Sequence, residues 1–252
     1  MANKLLAADP KLDRYIVAAA DAFPIATKEV KDALILIRAH IKPAQNAQAL
    51  QLLALRRYLR LGGATVRGNW AWTAEEALRH GNQGMFKLLV DEAAKVKAKF
   101  IAANPGYTLA TSPLRSLERQ VRLWNGNNTV QRAADGLQAD MLAVLQKTSL
   151  FSNVATGPGA AYFTNLLRAA QVDPEPTSAA PGTSDNGQMR AVDFVVVGPG
   201  GQTVADTKSA SIQAVWKSGG WEAKLVAAAS GTKLIGPLKH PYEPWHWRLA
   251  RT

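Results

Sequence analysis

One run of β-forming residues does most to fix the fold class of this chain. Ala191 to Val197 reads Ala-Val-Asp-Phe-Val-Val-Val, and Gly198, Pro199, Gly200 and Gly201 then turn the chain toward a hairpin partner ending near Ala205. Most of the remainder has helical spacing. Leu12, Ile16, Ala19 and Phe23 share one face of a segment after Pro10. Val30, Leu34 and Ile37 do the same in a second, which stops before Pro43. A third segment runs from about Ala44 to Leu61 and meets a helix stop at Gly62 and Gly63. Together these predict a small three-helix unit over about residues 1–65.

Further along, helical spacing extends from Thr73 to Ala103, with Thr73 as an N-cap and Glu75 and Glu76 in the first turn. Asn104, Pro105 and Gly106 break it. Tyr107 to Thr111 has strand composition, and Ser116–Trp124 and Thr129–Gln146 return to helix. Gly157–Gly159 and Asp173–Gly187 read as loops, and a loop as long as the second is often functional. Trp221–Ser230 is an amphipathic helix. His240 to Arg248 is an aromatic-rich strand or turn.

Composition narrows the chemistry. Of the 252 residues, 47% are hydrophobic, which is enough to build a core and excludes a disordered chain. There is no cysteine, so disulfides, thiolate nucleophiles, iron–sulfur clusters and cysteine-bound zinc are all excluded. Any metal site must use His, Asp or Glu, and His40, His80, His240 and His246 are the whole histidine supply. The net charge of +11 favours polyanionic surroundings such as wall polymers, an anionic membrane surface or nucleic acid. Between Asp32 and Glu75 there is no acidic residue, whereas Arg38, Lys42, Arg56, Arg57, Arg60 and Arg67 all fall inside. That run reads either as a solvated helix face or as a docking face for an anionic polymer. No nucleic-acid recognition motif accompanies it, so no specific nucleic acid is expected. The glycines at 198–201 lie between strands and open no helix, which argues against a phosphate loop. No stretch approaches the roughly 18 apolar residues of a membrane span. Asp9 and Pro10 interrupt the short apolar start, so no secretory signal is expected.

Two places put polar chemistry among apolar neighbours. Asp193 interrupts the strand and needs a cation or donors if it is buried. Glu243 and His246 lie three apart, framed by Pro244, Trp245 and Trp247. A carboxylate held beside an imidazole suits metal-assisted hydrolysis, in which bound water loses its proton to the carboxylate. The alternatives are a buried ion pair at Asp193 and an aromatic core corner at the C-terminal stretch.

Three segments, Thr111-Ser112-Pro113-Leu114-Arg115-Ser116, then 184–193 (Ser-Asp-Asn-Gly-Gln-Met-Arg-Ala-Val-Asp), then Glu243-Pro244-Trp245-His246, occur in that order. They resemble the motifs of the zinc D-alanyl-D-alanine carboxypeptidase family, which includes phage L-alanyl-D-glutamate endopeptidases, over about residues 70–248. The resemblance implies an α+β domain, over 66–252, whose small antiparallel sheet carries one zinc and is preceded by the helical unit. The family motif Ser-x-His-x-x-Gly-x-Ala-x-Asp falls on Ser184, Asn186, Met189, Ala191 and Asp193. Asp193 and His246 then match zinc ligands, Glu243 the general base, and Arg115 the arginine that grips substrate and supports the oxyanion. Ser184 and Trp245 are expected at the substrate. Asn186 stands where the family has its first zinc histidine, and Met189 where it has a glycine. An amide oxygen is a weaker zinc ligand than imidazole, so an impaired or altered metal site is expected, with Asp185 or His240 as possible auxiliary ligands. The implied function is hydrolysis of an amide in bacterial peptidoglycan, as a phage endolysin or delivered effector reaching the wall after lysis or delivery. The alternatives are a non-catalytic peptidoglycan-binding module on the same fold and a basic nucleic-acid binder.

Overall fold

A computed structural model describes residues 8–42, 45–68, 70–81, 83–112 and 115–250. Pro43, Ala44, Pro113 and Leu114, used above to bound the second and third helices and the first motif, lie outside these residues. The chain forms two compact units, one made of residues 1–71 and 116–184, the other of 72–115 and 185–252. Each has its own apolar core.

The first unit is helical. Asp9 caps α1 (Pro10–Asp21) by accepting from the Lys11 and Leu12 amides, and Asn46 caps α3 (Ala47–Leu61) in the same way. Between them lies α2 (Thr27–Ala39), and Gly62 ends α3 with φ 81°. A short α4 (Gly63–Gly68) follows. Helix α3 is buried on nearly every side, from Gln48 to Leu59, and such a helix needs neighbours all round. The first three helices cannot supply them alone. The rest come from α7 (Leu117–Gly126), α8 (Asn128–Lys147) and α9 (Gly157–Ala169). Val121, Trp124, Val130, Leu137, Met141, Phe163 and Leu167 all join the core of Leu50, Leu53 and Tyr58. The boundary expected near residue 65 therefore moves. Residues 116–184 belong with the N-terminal helices, because that is where their apolar faces are buried. Gly157–Gly159, read as loop, opens α9, with Pro158 in the first turn where its missing N–H costs nothing.

The second unit holds the sheet. Thr73 and Glu76 form a capping box at α5 (Ala74–His80), and α6 (Gly84–Ala103) follows, so the expected Thr73–Ala103 helix is two. Strand β1 (Thr108–Thr111) pairs antiparallel with β2 (Ala191–Val197), which also pairs with β3 (Thr203–Ala205) and β5 (His246–Leu249). Strand β4 (Leu234–Ile235) lies beyond β5. Helix α10 (Trp221–Ala229) and a π-helical turn at Ile212–Lys217 complete the unit. This is the α+β fold expected, with an antiparallel sheet and helices around it. Phe194, Val196, Trp216, Trp245, Trp247, Val96 and Phe100 make its core. At Gly236 an added Cβ would stand 2.4 Å from the Trp247 ring, so only glycine lets β4 lie this close to the strand bearing His246.

Candidate functional site

The site is built at one register position. Asp193 of β2 stands directly opposite His246 of β5. The Asp193 carbonyl accepts from Ser112 on the β1 side, and the His246 amide and carbonyl bond Glu243 and Leu238, away from β2. The two residues thus form a non-hydrogen-bonded pair, the kind that brings facing side chains closest. The result is a contact of 2.8 Å between His246 Nδ1 and Asp193 Oδ1. Both residues are buried, at 1% exposure for Asp193 and 6% for His246.

Glu243 reaches the same imidazole through a tight turn. The His246 amide donates to the Glu243 carbonyl, and the Glu243 amide to the Leu238 carbonyl. This brings Glu243 Oε2 to 3.8 Å from His246 Nδ1. From the chain just after β1, Arg115 donates to Asp193 Oδ2 at 2.9 Å. Asn186 is buried in the turn before β2, and its side chain hydrogen-bonds Asp193. In that turn Met189 has φ 55°, the left-handed region that favours glycine. This is the position where the resemblance calls for glycine.

Burial pushes the Asp193 carboxyl up, but His246, Arg115 and the Asn186 side chain more than offset it and hold the group below its ordinary range. Glu243 goes the other way. Burial raises it, the neighbouring Asp193 charge adds to that, and His246 and Arg115 only partly oppose the rise. Two carboxyls in one cluster are thereby driven apart, which is how proton-transfer roles become separated.

Arg115, Asn186 and Asp193 line a cavity of about 330 Å³ whose other wall is a face of α6. The remaining sequence-derived candidates lie elsewhere. Ser184 belongs to the helical unit, where its hydroxyl donates to Gln120 Oε1. Trp245 is buried and tilted against Trp216 with ring centres 6.2 Å apart, a core side chain rather than an open binding face. Asp185 lies 3.9 Å from Arg248, and His240 is exposed. Gln120 and Trp124 are buried in the helical core region. The basic run is divided: Arg56 is buried against the Ala170 carbonyl, Arg38 pairs with Asp13, and Lys42, Arg57, Arg60 and Arg67 are exposed.

Among the described residues, no three of His, Asp and Glu are grouped so as to hold a metal ion. A third donor would have to be the Asn186 amide oxygen. Asp193 and His246 offer a carboxylate oxygen and an imidazole nitrogen facing one another, and Asn186 reaches the same carboxylate. Asp193 and His246 are strong ligand types for a divalent ion such as zinc, whereas Asn186 donates its amide N–H to the carboxylate and would have to turn its oxygen inward to add a third, weaker donor. The α6 wall has no distinguishing signal in the sequence, because its apolar stripe has the same spacing as any core-facing helix. No helix among the described residues is long and apolar enough to cross a membrane. No family model, curated protein or solved structure matches the chain.

Proposed function

We propose that the sheet-bearing unit is a metal-assisted peptidase acting on the peptide of bacterial peptidoglycan. The observation that carries this reading is the convergence of Asp193, Glu243, His246 and Arg115, drawn from three distant segments, with Asp193 and Arg115 lining a cavity. The same residues carry the resemblance to the zinc carboxypeptidases.

In this reading Asp193, His246 and the Asn186 amide hold a divalent ion. When bound, it supplies Lewis acidity, lowering the pKa of water and polarising a carbonyl. Glu243 takes a proton from the attacking water at a carboxylate oxygen and returns it to the leaving amine, a role favoured by the rise that burial gives its pKa. Arg115, held by Asp193 at 2.9 Å and lining the cavity, places a fixed positive charge where a peptide carbonyl or carboxylate would lie. The exposed arginines of the helical unit suit an anionic wall polymer or membrane surface.

The test compares the full chain with its Asn186→His variant on purified peptidoglycan, with metal content measured alongside. The histidine variant should bind zinc more tightly and cut faster, and Glu243→Gln should slow cutting by about 100-fold or more in both backgrounds. Absence of any product from either form would overturn the hydrolytic reading. A second reading has its own support, since both Asp193 oxygens already have partners in His246 and Arg115. Such a closed network suits a non-catalytic wall-peptide binder, which would retain peptidoglycan in a pull-down without metal and without product.

A further inference from the structure

Helix α6 carries four lysines, and three of them are engaged. Lys87 pairs with Asp91 at 2.6 Å and Lys95 with Glu92 at 2.7 Å, and Lys99 donates to the Ser230 carbonyl at 2.7 Å. Among the described residues, no carboxylate or carbonyl accepts from Lys97. It is also the one that lines the cavity.

Its placement follows from helical spacing. Phe86, Val90, Ala93 and Lys97 succeed one another at intervals of three and four, with Leu89 beside Val90, so they form a single stripe along the cavity wall. Val90 is 49% exposed and gives this wall its open surface, while Phe86, Leu89 and Ala93 are buried and belong to the core behind it. Lys97 is partly buried at the end of the stripe, and that burial lowers its pKa with no counter-ion to restore it. An ammonium group left unpaired beside apolar surface recovers its lost hydration when a carboxylate arrives. The opposite wall carries Arg115, Asn186 and Asp193. A ligand spanning the cavity therefore meets the polar cluster at one side, an aliphatic stripe along its length, and a lone cation.

We propose that Lys97 is the specificity-determining residue of this cavity, receiving a free carboxylate on a substrate peptide whose aliphatic stem lies along Phe86, Leu89, Val90 and Ala93. The substrate class is an acidic peptide, and an amidated counterpart is rejected. This rests on the peptidase reading above for the reaction, though not for the recognition.

The test uses the full chain and two synthetic wall peptides that are identical except that one keeps its glutamate carboxylate and the other carries the carboxamide. Binding is measured by calorimetry, and hydrolysis is followed in parallel, for the wild type, Lys97→Met and Lys97→Arg. The wild type should prefer the acidic peptide by about 10-fold to 100-fold. Lys97→Met should erase that preference by weakening only the acidic peptide, and Lys97→Arg should restore most of it. Cutting without discrimination, or discrimination that survives Lys97→Met, overturns the inference and leaves the peptidase reading intact. Discrimination in binding without any cutting overturns the peptidase reading and leaves Lys97 in its role. Failure to bind either peptide overturns both.

Discussion

Gln48 of the helical unit and the Asp193 cluster of the sheet-bearing unit both bury polar side chains, but they do so in opposite ways. In the helical unit the central example is Gln48, a neutral amide with every bonding site used. Its Nε2 donates to the Asp9 carbonyl and to Asp13 Oδ1, both at 2.8 Å, while its Oε1 accepts from the Asp9 amide at 3.0 Å and from Gln138 Nε2 at 2.9 Å. This closed network ties α1, α3 and α8 together. In the sheet-bearing unit the buried groups are ionisable, and two of the carboxyls are pulled to opposite sides of their ordinary range. Polar burial that serves stability satisfies each group locally. Polar burial that serves chemistry leaves one group in tension with its surroundings, and here that group is Glu243.

The comparison can be broken most sharply at Glu243. Replacing it by glutamine should lower hydrolysis by about 100-fold to 10,000-fold, the usual contribution of a general base. Stability should be unchanged or higher at neutral pH. The native carboxyl holds its proton more tightly than the unfolded chain does, whose glutamate titrates near about 4.3. Its contribution is therefore full below that value and is lost as pH rises through the raised native pKa. The variant lacks this slope, so hydrogen exchange of β2 and β5 amides should be equally slow or slower than in the wild type at pH 7. Faster exchange by several kcal/mol would make Glu243 a structural residue and remove the contrast between the units.

Gln48→Ala is the matching experiment in the helical unit, and it should move stability alone. The Asp9 amide and Gln138 each lose a buried partner, and a small cavity opens, together costing about 2–4 kcal/mol. Exchange of α1 and α3 amides would speed accordingly, with hydrolysis per folded molecule unchanged. A loss under about 0.5 kcal/mol would show that water replaces the network at little cost.

Legibility in the sequence followed the range of the forces involved. Strand β2 was readable to the residue, because β-branched runs bounded by glycine are local signals. Helices α1, α7 and α8 are legible from residue pattern alone, while their caps at Asp9, Ser116 and Asn127 emerge only in the structure. The division between units was not, since it depends on which core receives the faces of α7, α8 and α9, and spacing does not reveal a partner. The opening of α9 was missed because Gly157 and Gly159 flank Pro158 as they would in a loop. At the site, Asp193, Glu243, His246 and Arg115 could be named from motif order, and they come together. Trp245 and Ser184 share the motifs but not the cavity, because neighbours along a strand or turn point in different directions. Lys97 had no motif at all.

The smallest effect probes the turn that holds Asn186. Met189 is buried at 1% exposure yet sits at φ 55°, so its side chain stabilises the core while its backbone is strained. Met189→Ala should lose about 2–4 kcal/mol of packing and keep the strain. Met189→Gly loses the same packing but relieves the left-handed conformation, worth about 1 kcal/mol. Glycine should therefore be the more stable of the two by about 1 kcal/mol in urea unfolding. At Ala133, buried in α8 of the helical unit, replacing alanine by glycine should instead destabilise by about 1 kcal/mol. The opposite signs would locate conformational tension in the turn beside the site. If alanine proves the better residue at 189 as well, that turn is relaxed, and Asn186 owes its position to its bond with Asp193 alone.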